Sequence, residues 1–296
     1  MTATTTITVP TPAAARTARR EAVRFVVIQA LLGLAGTAVA ATEGVDVRHI
    51  EDASALGQTV TYGLAVTPLI AACLSTFRGP RGWGFRRVGW RPLLLAWAVG
   101  LVPVLAAYAA VWATGAGRFD GDPISAVPAA TALVLPYVLL ALAEDIGWRG
   151  LLVTRLAKIA RPRTVYLVSG GFWSLSHVGL LLVLGGTPEG VSPLFAVAMF
   201  TIATTALGSI LAAMQLRWGL WPGVLAHATV NAVLYHFADP ATSPTGAATN
   251  WIATETGLAY ALAMTLAALA YFRWFRTAAG HQPHTSGAAD AVVSPS

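Results

Sequence analysis

The chain has 296 residues, 56% of them hydrophobic and only 11% charged, with a mean hydropathy of +0.64. An average soluble domain carries about 25% charged residues, which argues against a water-soluble globular enzyme. The net charge is +6, but the basic residues are divided among short loops, so nucleic acid is not an expected partner. The single cysteine, Cys73, excludes an intramolecular disulfide framework and any Cys-rich metal site.

In chain order, residues 1–20 are rich in Thr, Ala and Pro and lack the apolar core of a cleavable leader. They read as a disordered tail. One transmembrane domain, 21–276, follows. Its apolar stretches are Ala22–Ala41, Ala55–Phe77, Pro92–Ala113, Ile124–Ala143, Thr164–Leu184, Ser192–Met214, Trp218–Ala238 and Trp251–Phe272. Each is of a length to cross a hydrocarbon core of roughly 30 Å. Backbone polar groups in lipid must be satisfied internally, so the stretches are helices unless a barrel closes, and the alternation a barrel needs is missing. Residues 277–296 read as a second disordered tail. The expected fold is all-α, a polytopic bundle of about eight spans. No internal sequence repeat supports an inverted-repeat transporter.

The arginines orient the bundle. Arg16, Arg19, Arg20 and Arg24 precede the first span, and Arg78, Arg81, Arg86, Arg87 and Arg91 separate the second from the third. Arg149, Arg155, Lys158, Arg161 and Arg163 separate the fourth from the fifth, Arg217 the sixth from the seventh, and Arg273 and Arg276 follow the eighth. That places 17 of the 19 basic residues on one side, leaving Arg48 and Arg118 on the other with Glu43, Asp46, Glu51, Asp52, Asp120, Asp122, Glu189 and Asp239. The positive-inside rule then puts both termini in the cytoplasm. Trp83, Trp90, Trp112, Trp218, Trp251 and Trp274 fall near span ends, where an interfacial aromatic belt is expected.

Ionisable groups at membrane depth are costly, so those inside the spans are functional hypotheses. Span four ends in Glu144, Asp145 and Arg149, span five holds His177, and span seven holds His227, Asn231 and, near its outer end, His236. Glu255, at the outer start of span eight, reads as interfacial. At about 1.5 Å of rise per residue, Glu144 lies roughly 8–16 Å, His227 roughly 14 Å and His177 roughly 20 Å from the cytoplasmic boundary. His236 is excluded from this group by depth. Asp145 and Arg149 are four residues apart and suited to an ion pair, while Glu144, about 100° around the helix, points elsewhere. His227 and Asn231 share one face, as do Trp173 and His177. Gly170 and Ser174 let a neighbouring helix approach span five closely. Each polar residue alone reads as a packing or snorkelling group. A carboxylate, two imidazoles and an amide together fit proton transfer beside an oxyanion site.

These segments resemble the CPBP family of intramembrane proteases, which includes the CAAX prenyl endopeptidases. The family pattern is Glu-Glu-x-x-x-Arg, Phe-x-x-x-His and His-x-x-x-Asn on successive helices. Here it reads Glu144-Asp145-x-x-x-Arg149, Trp173-x-x-x-His177 and His227-x-x-x-Asn231. The likeness covers a motif core of 142–235, with Asp145 in place of the second glutamate and Trp173 in place of phenylalanine.

The resemblance implies an intramembrane endopeptidase in which Glu144, as general base, activates a water held between it and His177. The pocket is expected in the cytoplasmic half of the membrane. His227 and Asn231 would donate to the oxyanion, with Asp145, Arg149 and Trp173 as structural support. No metal or cofactor is expected. Zinc held by Glu144, His177 and His227 is the rival, but the His-Glu-x-x-His signature is absent and the three come from separate helices. The expected partners are a peptide or membrane-protein substrate and the lipid bilayer. The Ala-, Arg- and Trp-rich composition points to a bacterial cell membrane. The alternative is a non-enzymatic scaffold or bacteriocin-immunity-type protein that uses the polar cluster structurally, and a proton-coupled transporter ranks behind both.

Overall fold

A computed structural model describes residues 11–76 and 82–280, with side chains through Phe275. The described residues are mostly helical. Helix α1 (Pro12–Thr42) starts on Pro12, whose missing N–H costs nothing in a first turn, under a Thr11 side-chain cap. It is followed by α2 (Ala55–Gly63), capped by Ser54, α3 (Thr67–Ser75) and α4 (Trp90–Ala113). Next come α5 (Ala126–Ala130), α6 (Val134–Asp145), a π-helical run Ile146–Val153 and α7 (Thr154–Leu156). The second half holds α8 (Pro162–Leu175), α9 (Val178–Leu182), α10 (Pro193–Trp218), α11 (Leu220–Val233) with a π turn Leu234–Ala238, α12 (Thr249–Ile252) and α13 (Leu258–Gly280).

Among the described residues six helical units are long and apolar enough to cross a membrane, and the bent pair Pro123–Ala130 and Val134–Leu156, at 46°, makes up to seven. The seventh expected stretch, Trp218–Ala238, is α11 continued by its π turn, so its helix is regular for only fourteen residues. Large apolar side chains point outward along these units, among them Leu139 (71% exposed) and Leu194 (78%). Such a surface is a liability in water and costs nothing in hydrocarbon. The chain is an integral membrane protein.

The loops pair as alternating spans require. At the acidic end, β1 (Gly117–Phe119) and β2 (Thr242–Pro244) form a short antiparallel ladder with Arg118 opposite Ser243. At that end, too, Val47 N–H donates to Leu184 C=O and the Asn250 amide to Glu189 C=O. At the arginine-rich end, Leu220 N–H donates to Gly84 C=O, the Gln215 amide to Trp83 C=O, and Arg155 pairs with Glu21.

Several expectations are corrected. Residues 12–20, read as tail, are the first turns of α1, because the Thr11–Pro12 cap starts the helix before the apolar stretch begins. Similarly, α13 runs on to Gly280, and only 281–296 of the expected tail, like 1–10, lie outside the described residues. So do Phe77, Arg78 and Arg81, and the side chain of Arg276. Trp83 is buried rather than interfacial, because the 82–89 loop folds back under α10 and α11. Trp112 packs edge-on against Phe119 and Phe237, whereas Trp90 and Trp274 are exposed as a belt requires.

Close packing sets how the helices face one another. Gly170 of α8 lies against Gly208 of α10, and a Cβ on Gly208 would come within 2.9 Å of the Gly170 Cα. Gly219, at φ +92°, turns the chain from α10 directly into α11. A side chain there would also meet the Gly84 carbonyl at 2.4 Å. Glycine alone satisfies both conditions.

Candidate active site

Glu144 ends the last turn of α6, where the helix widens into the π-helical run. All eight residues of that run are buried. Wide turns of this kind are uncommon and recur at functional sites. Just before the run, two adjacent acids of α6 face different surroundings. Asp145 is fully buried and accepts from Arg149 Nη1 at 2.7 Å, while Glu144 remains partly accessible and accepts from Trp173 Nε1 at 3.0 Å. The Arg149 guanidinium lies 3.8 Å from the Trp173 ring centroid. One indole therefore binds the accessible acid by its edge and covers the buried cation with its face.

The imidazoles complete the cluster. His177 stands where α8 gives way to α9, and its Nδ1 is 2.9 Å from the Trp173 carbonyl. A carbonyl can only accept, so Nδ1 carries the proton of that bond and Nε2 is left for other partners. His227, 4% exposed on α11, packs edge-on against Trp173 with ring centroids 4.9 Å apart. Its Nδ1 is 3.5 Å from Asp145 Oδ1, too far for a well-formed hydrogen bond. Asn231 follows one turn later.

Glu144, Trp173, His177, His227 and Asn231 line one cavity of about 320 Å³. The sequence therefore brings together the groups it was expected to, with Asp145 and Arg149 behind them in the protein interior. His236 stands apart, its Nε2 3.2 Å from the Tyr137 hydroxyl. Among the described residues, the only His, Cys, Asp and Glu ligand atoms that gather within 4.8 Å in a group of three belong to His49, Glu51 and Asp52, which are exposed.

Two features escaped the sequence reading. Trp173, expected as structural support on one face with His177, is a hydrogen-bond donor to Glu144. Glu255, expected only as an interfacial residue at the outer start of span eight, also faces the cavity. It precedes α13 in a turn and lines the same cavity as Glu144, together with Tyr235 and Tyr260. The cavity thus extends from the acidic pair toward the arginine-poor end. The Tyr235 hydroxyl donates to Glu255 Oε2 at 2.7 Å, a contact across 20 residues that no sequence spacing signals.

Residues 126–233 match the family model of the type II CAAX prenyl endopeptidase Rce1-like proteins. The chain carries an Rce1-like segment. That segment runs from α5 to the end of α11 and contains all three motifs. It supports an intramembrane protease of the CAAX type in general terms, a hydrolase set in apolar helices. No curated protein matches the chain.

Proposed function

We propose that this protein is a glutamate-dependent intramembrane endopeptidase of a bacterial cell membrane, acting on a peptide or membrane-protein segment. The observation that carries the reading is the single cavity into which three helices bring Glu144, His177, His227 and Asn231. Glu144 takes a proton from a water positioned with the help of His177 Nε2. The hydroxide adds to the scissile carbonyl carbon, and Glu144 returns the proton to the leaving amine. Asn231, whose amide makes no hydrogen bond among the described residues, and His227 donate to the oxyanion. Asp145, Arg149 and Trp173 hold these side chains in register. The reading puts the site in the cytoplasmic half, because in the chain the acids are followed by the basic residues Arg149, Arg155, Lys158, Arg161 and Arg163, which the positive-inside rule makes cytoplasmic. The proposed chemistry uses no metal or cofactor.

A purified preparation in liposomes and membrane proteomics of cells carrying Glu144→Gln test this. Hydrolysis falls by about 10²–10⁴-fold in the variant, the range a lost general base gives, and a peptide accumulates in its membranes. A folded, abundant Glu144→Gln protein that retains full function overturns the enzyme reading. It would favour the scaffold or immunity-type alternative, in which the Trp173–Glu144 bond serves packing alone.

A further inference from the structure

Glu255 is the second carboxylate of the chamber, and the proposed reaction does not use it. The turn that carries it is fixed from two sides. Thr254 sits at φ +70°, a conformation β-branched residues rarely adopt, and its N–H donates to the Tyr108 hydroxyl at 3.2 Å. Tyr108 in turn donates to Asp239. On the cavity side, Tyr235 holds Oε2 of Glu255.

A second cavity, of about 600 Å³, shares Tyr62, Tyr137, Leu140, Tyr235 and Glu255 with the first and continues to Val47, Gly186 and His236. Glu255 therefore stands between the chamber of Glu144 and a mouth among the acidic-end loops. Neither cavity has a lysine or arginine in its lining, and Glu255 forms no ion pair among the described residues. Besides Glu255 the linings hold Glu144, His177, His227, Asn231 and His236 among their polar groups but no Lys or Arg, so a carboxylate there is stabilised most by a cation supplied from outside the wall.

We propose that Glu255 is a specificity determinant: it receives a lysine or arginine side chain of a largely apolar peptide segment that enters past Tyr137 and Tyr235. The selection rests on the protease reading for its catalytic consequence, and on the cavity alone for binding. Cleavage is directed to bonds near a basic residue.

The test uses the full chain in phosphatidylcholine liposomes with a set of fluorescent, quenched apolar decapeptides. In each, lysine replaces norleucine at one position in turn, and both binding and hydrolysis are read. One position shows about a tenfold preference for lysine, the scale of one charged hydrogen bond. In Glu255→Gln the lysine-to-norleucine ratio falls to about one. In Tyr235→Phe, which keeps the charge but frees the carboxylate, it falls part of the way. Glu144→Gln keeps the binding preference while losing hydrolysis. A ratio of one at every position in the unaltered protein overturns the proposal, as does a preference that survives Glu255→Gln or is lost in Glu144→Gln. If Glu255→Gln does not fold, judged by thermal melting, Glu255→Asp and Tyr235→Phe decide, since a ratio unmoved in both is equally fatal. Lysine-selective binding with no hydrolysis of any peptide sinks the protease reading and leaves the cation site standing.

Discussion

Trp173 donates its indole N–H to Oε2 of Glu144 across 29 residues of sequence, at 3.0 Å. The proposed base is thereby held on one oxygen by a side chain that also covers Arg149. Replacing Trp173 by phenylalanine, the residue of the family pattern, keeps an aromatic ring and removes the donor. Trp173→Phe is expected to lower thermal stability by about 0.5–1.5 kcal/mol, the net contribution of one hydrogen bond. Turnover should fall less than in Glu144→Gln, because the carboxylate survives. Parallel melting and single-turnover assays check this, and a loss equal to that of Glu144→Gln would make the indole part of the chemistry.

The Asp145–Arg149 pair is 0% and 2% exposed. Removing one partner of a buried pair leaves an uncompensated charge, which costs about 3–5 kcal/mol. Asp145→Ala and Arg149→Ala should each unfold in detergent at a markedly lower temperature. The double variant Asp145→Leu/Arg149→Met should be less destabilised than the sum of the two single changes, since no charge remains to be stranded. Strict additivity would show that the pair is not energetically coupled.

Gly219 joins α10 to α11 at φ +92°. An alanine there meets both the steric penalty of a positive φ and the Gly84 carbonyl, so Gly219→Ala should cost more than about 1 kcal/mol. The turn aims α11, so His227 and Asn231 shift with it, and activity should fall although no polar group is lost. Melting temperature together with hydrolysis rate tests this, and an unchanged rate would mean that α11 is positioned by its other contacts.

Asp239 follows the π turn after α11 and accepts from Tyr108. Burial lifts its carboxyl to about 7, opposed by the Tyr108 bond and reinforced by Glu255. The folded state then holds a proton that the unfolded chain releases near the ordinary aspartate value of 3.8. Between these two values stability falls as pH rises, by at most about 1.4 kcal/mol per pH unit. Above about 7 the loss is complete. Asp239→Asn, which still accepts from Tyr108, should remove that slope. Denaturant melts from pH 4 to 8 measure it, and equal slopes in both proteins would refute the assignment.

Much of the fold was legible one segment at a time. A helix in lipid satisfies its own backbone, so apolar length alone marks a span, and arginine content alone sorts the loops into two ends. The Asp145–Arg149 pair was equally readable, because four residues of helix place two side chains on one face. The span boundaries were less so. Hydropathy does not register that α11 passes into a π turn at Leu234, or that the chain bends between Ala130 and Val134.

Local spacing established that Glu144 turns away from Asp145, and motif order that His177, His227 and Asn231 accompany it. Only the packed bundle decided that Trp173 reaches Glu144, that His227 lies beside Asp145, and that Glu255 joins the chamber. Those contacts depend on how far each helix is rotated and how closely it approaches the next. Gly170 against Gly208 and the turn at Gly219 settle that distance and rotation through the absence of side chains. Which surfaces such gaps bring together follows from three-dimensional closure, because partners tens of residues apart leave no periodic trace in the chain.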